Sequence, residues 1–131
     1  MAKFARWNEK VLLLLGCVLT LALAQHAQEH GRWVFTEKDA GKTLKVSVGD
    51  TVVVKLPAIP GNGYVWHLAS ADGVAKTKQT RFELLEKGQP GARAAQVFQL
   101  VIVKAGQHEL PFSYRRGEEV ARTCTLRLDA R

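Results

Sequence analysis

Cysteine is almost missing from this chain of 131 residues: Cys17 and Cys124 are its only two. Cys17 lies inside the single long apolar run, so a chain that loses that run keeps one thiol and forms no internal disulfide. The run itself (VLLLLGCVLTLALA, residues 11–24) has 14 residues, short of the roughly 20 that span a bilayer. Lys3, Arg6 and Lys10 precede it and the small-x-small triplet Ala22-Leu23-Ala24 ends it, which is the pattern of a cleaved secretory signal over residues 1–24. A retained anchor is the weaker alternative. Leu15-Gly16-Cys17 has the outline of a lipid-attachment site, but the apolar run continues past Cys17 and a bulky leucine stands where a small residue is usual. The expectation is an exported protein, periplasmic or secreted, with a single domain at residues 25–131 that is free of the membrane after cleavage.

The remaining absences exclude function classes. No GxSxG, HExxH or Walker loop occurs, and no pair of carboxylates stands out from ordinary surface charge. His26 and His30 are four residues apart near the start of residues 25–131, yet two ligands do not complete a zinc site. His67 has no Ser, Cys or Asp constellation around it. An enzyme is not expected, and neither a metal nor a cofactor is called for. Sixteen Lys and Arg against eleven Asp and Glu in residues 25–131 give a charge of +5, but the basic residues are scattered and the densest pair, Arg115-Arg116, is followed at once by Glu118-Glu119. Nucleic-acid binders gather such residues on one face and interleave aromatics, so no nucleic-acid partner is expected.

Outside the apolar run no stretch has helical amphipathicity; what the chain has is alternation. Leu44, Val46 and Val48 alternate with Thr43, Lys45 and Ser47, and past the turn pair Gly49-Asp50, Val52, Val54 and Leu56 alternate with Thr51, Val53 and Lys55. Both read as half-buried strands. Phe98, Leu100 and Ile102 share a face, as do Leu110, Phe112 and Tyr114. Val120, Cys124, Leu126 and Leu128 form another, with Arg122 as its polar member and Cys124 as a packed core residue rather than a reactive thiol. With strands over 32–37, 64–69 and 80–86 the count is about eight, separated by Gly- and Pro-bearing turns, the spacing of an immunoglobulin-like two-sheet sandwich of 7–8 strands.

Three connections stand out against that scaffold. The first, LPAIPGNGYVW (56–66), carries more Pro, Gly and Asn than a turn requires: Pro60 fixes one φ, Gly61 and Gly63 allow positive φ, and Asn62-Gly63 is a strong turn pair. The second runs Gly88-Gln89-Pro90-Gly91-Ala92-Arg93-Ala94. The third is Arg115-Arg116-Gly117-Glu118-Glu119. Tyr64 and Trp66 also have a plain reading as core-filling aromatics at a strand start, and Arg115 and Arg116 as a solvated pair.

On these residues the chain resembles the chagasin-type inhibitors of papain-like cysteine peptidases, over roughly residues 40–130. The family's first loop, N-P-T-T-G-Y-x-W, corresponds to Ile59-Pro60-Gly61-Asn62-Gly63-Tyr64-Val65-Trp66 after Leu56-Pro57. Its second, G-x-G-G with a Phe four residues on, corresponds to Gly91-Ala92-Arg93-Ala94 before Phe98. Its third, a Tyr followed by R-P-W, corresponds to Tyr114-Arg115 and then Arg116-Gly117-Glu118. Gly106 and Leu110 match the framework ahead of that Tyr.

The resemblance implies a wedge of three loops that blocks a peptidase cleft reversibly and without covalent chemistry. Its partner is a papain-like cysteine peptidase, and its contact residues are Ile59, Pro60, Gly61, Asn62, Gly63, Tyr64, Gly91, Ala92, Arg93, Ala94, Arg116, Gly117 and Glu118. A monomer is expected. Pro60, Gly63, Tyr64, Gly91 and Arg116 match the family's residues. Ile59 stands for Asn, Gly61-Asn62 for two Thr, Arg93-Ala94 for two Gly and Gly117-Glu118 for Pro-Trp, which implies an altered target preference and, through Gly117, a looser third loop. The alternative is an exported recognition module of the same fold that binds another protein or a surface polymer without inhibiting peptidases.

Overall fold

In a computed structural model, residues 29–85 and 93–131 are described; the apolar run, the Cys17 site and His26 lie outside them. The described chain is all β apart from one 3-10 turn at Glu37–Asp39. Its strands are β1 (Arg32–Thr36), β2 (Thr43–Val46), β3 (Thr51–Ala58), β4 (Val65–Leu68), β5 (Ala75–Leu84), β6 (Ala94–Ile102), β7 (Gly106–Arg116) and β8 (Glu119–Ala130). They form two four-stranded sheets, ordered β1-β3-β6-β5 and β2-β8-β7-β4. The chain changes sheet at every connection except the hairpins β5–β6 and β7–β8.

The expected alternation builds the core. Val52, Val54, Leu56, Phe98, Leu100 and Ile102 from the first sheet meet Trp66, Leu110, Phe112, Cys124, Leu126 and Leu128 from the second, all buried in one cluster, with Phe98 and Phe112 edge to face at 5.1 Å. Cys124 is a free, buried thiol, and burial raises its pKa, as expected of a core residue.

Three local expectations fail for identifiable reasons. The central strands β3 and β6 are covered on both faces rather than one: Val53, Ala95 and Val97 form a second buried cluster, on the face where Glu83 pairs with Lys55 at 3.4 Å and Arg81 at 2.9 Å. Val48 leaves the face of Leu44 and Val46 because a turn begins at Ser47, closed by the Asp50 N–H donating to the Ser47 carbonyl at 3.0 Å. Val120 leaves the face of Cys124 because β8 bulges: Tyr114 pairs with Arg122 while its neighbour Arg115 pairs with Val120. The extra residue, Ala121, turns Val120 to the outer face, where it is 52% exposed.

Far from that bulge, Asp50 fastens the start of the described chain. Its carboxylate is buried and accepts from the Gly31 N–H at 2.6 Å, the Ser47 N–H at 2.8 Å and the Trp33 indole at 3.0 Å. Burial alone would raise its pKa, but these donors and nearby His30 hold it below the usual Asp value.

Candidate functional site

Register decides where the three connections go. Ala58, the last residue of β3, pairs with Ala94, the first of β6, and Ala94 also pairs with Leu84, the last of β5. In the other sheet, Val65 opens β4 opposite Arg115, one residue before β7 ends. The first connection (59–64), the Leu85 and Arg93 flanks of the second, and the third (117–118) therefore lie at one end of the sandwich. The first is not a hairpin; it crosses from one sheet to the other.

The first loop is held from inside. Gly61 and Gly63 take φ of +91° and +85°, values that glycine adopts without steric cost. Between them Asn62 accepts the Tyr64 N–H through Oδ1 at 2.9 Å and donates through Nδ2 to the Tyr114 hydroxyl at 3.4 Å. The same hydroxyl accepts the Ile59 N–H at 3.2 Å. Ile59, Pro60, Gly61, Asn62 and Gly63 are exposed, whereas Tyr64 is half-buried. Pro57 costs no ladder bond to β1, because that pairing ends at Lys55.

Beneath the loop, Trp66 is its foundation. The indole N–H donates to the Pro57 carbonyl at 2.9 Å, tying the two ends of the connection together, and the ring lies 5.1 Å from Tyr114. Gln96 reaches across from β6: its amide accepts the Trp66 N–H at 2.7 Å and donates to the Trp66 carbonyl at 2.9 Å. β4 is an edge strand, and this side chain takes the place of a further strand.

The third connection is tighter than expected. β7 continues to Arg116 and β8 starts at Glu119, leaving the two-residue turn Gly117-Glu118. Gly117 has φ of +60° and no other residue type has positive φ among the described residues, which is the type II′ hairpin pattern that calls for glycine first. Gly117 thus closes a short turn instead of loosening a long one. Arg116 stands 4.8 Å over the Tyr64 ring and pairs with Glu119 at 3.0 Å. Hydrogen bonds from Arg116 and from the Tyr64 hydroxyl hold the Glu119 carboxyl below its usual pKa. Partial burial and then the bond to Glu119 push the Tyr64 phenol up. A Cβ on Gly63 would lie 2.9 Å from Arg116 Cδ, so Gly63 also lets the two loops meet.

The second loop contributes less that can be placed. Gly91 and Ala92 lie outside the described residues. Arg93 is exposed and its carbonyl accepts the Leu85 N–H at 3.0 Å. Ala94 is fully buried, so its place among the contact residues is corrected: it pairs with both Ala58 and Leu84 and is framework at the floor of the recess under the first loop. Ile59, Pro60, Gly61, Asn62, Gly63, Tyr64, Arg93, Arg116, Gly117 and Glu118 do come together at this end.

Sequence reasoning missed Leu84 and Leu85, 61% and 62% exposed. Leu85 lines, with Pro57, Ile59, Arg93, Tyr114 and Arg122, a largely apolar recess of about 290 Å³ between the first loop and the Leu85 and Arg93 flanks of the second. The alternation of Phe82 with Leu84, both on the inner side of an edge strand, was the available signal. Arg122, the odd polar member of the β8 face, pairs with Glu37 and so fastens the 3-10 turn to the same end.

A cysteine protease inhibitor from Entamoeba histolytica, EhICP2, superposes with a TM-score of 0.68 at 25% identity, covering 79% of this chain and 99% of the other. The solution structure of amebosin gives 0.63 at 20% identity, with 79% and 99% covered. PbICP-C, solved in complex with falcipain-2, gives 0.56 at 14% identity, with 79% and 100% covered. Among curated proteins no sequence relative matches. Residues 45–129 match the family profile described as Chagasin family peptidase inhibitor I42, and the chain belongs to that family of peptidase inhibitors, not of enzymes.

Proposed function

We propose that this chain inhibits papain-like cysteine peptidases reversibly and without a covalent bond, by inserting the first loop into the active-site cleft while the flanking loops rest on either side. Family membership supports the reading, as does PbICP-C, which shares the fold and was solved with falcipain-2 bound. The observation that carries it is the joining of the first and third loops, through Tyr114, Tyr64, Arg116 and Glu119, at one end of an immunoglobulin-like body. A surface fixed before docking loses little conformational entropy on binding, so its contacts are realised as affinity. Ile59, Pro60, Gly61, Asn62 and Gly63 form the leading edge; Arg93 flanks one side; Arg116, Gly117 and Glu118 flank the other. Residues 25–131 act as a monomer, exported after removal of residues 1–24.

Titration of active papain with the domain, using a fluorogenic peptide, tests this. The expected result is competitive inhibition that reverses on dilution. Full papain activity at high micromolar protein would instead favour a recognition module that presents the same loops to a partner of another kind.

A further inference from the structure

The first loop raises a difficulty for any inhibitor that enters a peptidase cleft: why is it not cut? Its glycines make the question sharper, because glycine is nearly indifferent to the sign of φ, and a free Gly-Asn-Gly segment would extend readily. Cleavage requires a run of extended backbone, φ near −120°, with the scissile carbonyl carbon held within about 3–3.5 Å of the attacking sulfur. Here φ is +91° at Gly61 and +85° at Gly63, so each pair of neighbours from Pro60 to Tyr64 includes a left-handed residue. Glycine does not hold itself there; something else must.

We infer that Asn62 and Tyr114 are the positioning residues that make this loop a plug instead of a substrate, an inference that rests on the inhibitor reading above. Asn62 sits between the two glycines, at one of the positions that depart from the family's pattern. Its carbonyl oxygen takes the Tyr64 N–H at 2.9 Å and its amide reaches the Tyr114 hydroxyl at 3.4 Å. That hydroxyl also takes the Ile59 N–H at 3.2 Å, so the start, middle and end of the loop are all referred to one phenol. The phenol is anchored in turn: Tyr114 is 7% exposed on β7, with the rings of Trp66 and Tyr64 at 5.1 and 5.5 Å. When these ties are lost the loop can extend. The peptidase thiolate then adds to a loop carbonyl carbon, the amide nitrogen departs as an amine with a proton from the peptidase histidine, and water hydrolyses the resulting thioester. One bond within 59–64 is cut and the peptidase is regenerated.

The test incubates papain with a molar excess of wild type, Asn62→Ala, Asn62→Asp or Tyr114→Phe, following residual activity and intact mass together. Wild type is expected to inhibit steadily at unchanged mass. Asn62→Ala and Tyr114→Phe are expected to inhibit only transiently, with a single cut within 59–64 at about tenfold the wild-type rate or more, since each loses about two hydrogen bonds. Asn62→Asp keeps an acceptor for the Tyr64 N–H and one for the Tyr114 O–H, and is expected to stay intact. Asn62 is exposed, so its variants fold, and a purely structural role would not confine cleavage to this loop. Stable inhibition at unchanged mass by both Asn62→Ala and Tyr114→Phe, cuts elsewhere in the chain, or cleavage of Asn62→Asp as fast as Asn62→Ala would each overturn the inference and leave the inhibitor reading standing. Failure of the wild type to inhibit overturns that reading and this inference with it.

Discussion

Replacing Gln96 by leucine is expected to lower folding stability by about 3 kcal/mol, although the change puts an apolar side chain into an apolar core. Gln96 is 5% exposed and Trp66 2%, and the amide supplies partners for both main-chain groups of Trp66, at 2.7 and 2.9 Å. Leucine offers neither a donor nor an acceptor, and a buried polar group left unpaired costs about 1–3 kcal/mol. Two such groups outweigh the gain from the added apolar area. For a domain of this size the loss corresponds to a fall in Tm of roughly 10–20 °C, read by thermal or urea unfolding. Faster hydrogen exchange at the Trp66 amide would locate the damage at the base of the first loop. A loss below about 1 kcal/mol would mean that the edge of β4 finds other partners.

At the other end of the sandwich, removal of the Asp50 carboxylate by Asp50→Ala is expected to cost about 3 kcal/mol. Three donors, the Gly31 and Ser47 N–H groups and the Trp33 indole, lose their acceptor at once, and bonds to a charged group are worth about 1.5–3 kcal/mol each before the partially exposed donors regain water. The pH dependence has a definite sign. The folded pKa of Asp50 is lowered relative to the unfolded chain, so the native state favours the ionised form. The stabilisation is fully present above the ordinary aspartate value near 4 and is lost as pH falls below it through the folded pKa. Wild-type stability should therefore decline below about pH 4, and Asp50→Ala should show a shallower decline there. Equal slopes for the two proteins would remove Asp50 as the origin.

What could be read from the sequence was whatever period-2 alternation determines. Val52, Val54, Leu56, Phe98, Leu100, Ile102, Leu110 and Phe112 occupy the core because each faces inward on a strand whose neighbours do the same. Alternation fails where the count of residues across a ladder changes, as at Ala121, and where a strand is covered on both faces, as at Val53. Gln96 gave no local sign of its role, since its partner is 30 residues away in sequence and in the opposite sheet. Asp50 read as a turn residue because its three donors come from two separate segments. The candidate loops were recognisable from Pro, Gly and Asn content, but their convergence follows from the pairing of Ala58 with Ala94 and of Val65 with Arg115. The contrast between Ala94, buried under the loops, and Arg93, exposed beside it, likewise needed the β6 register.

Inhibition depends most on the first loop acting as a shaped plug. Its direct test replaces Pro60-Gly61-Asn62-Gly63 by four flexible Gly and Ser residues and compares papain inhibition constants for the two proteins. Removal of a preorganised anchor commonly costs about 2 kcal/mol or more, so inhibition is predicted to weaken by at least about 30-fold while unfolding stability changes little. Inhibition equal to wild type in the replaced protein would contradict the account.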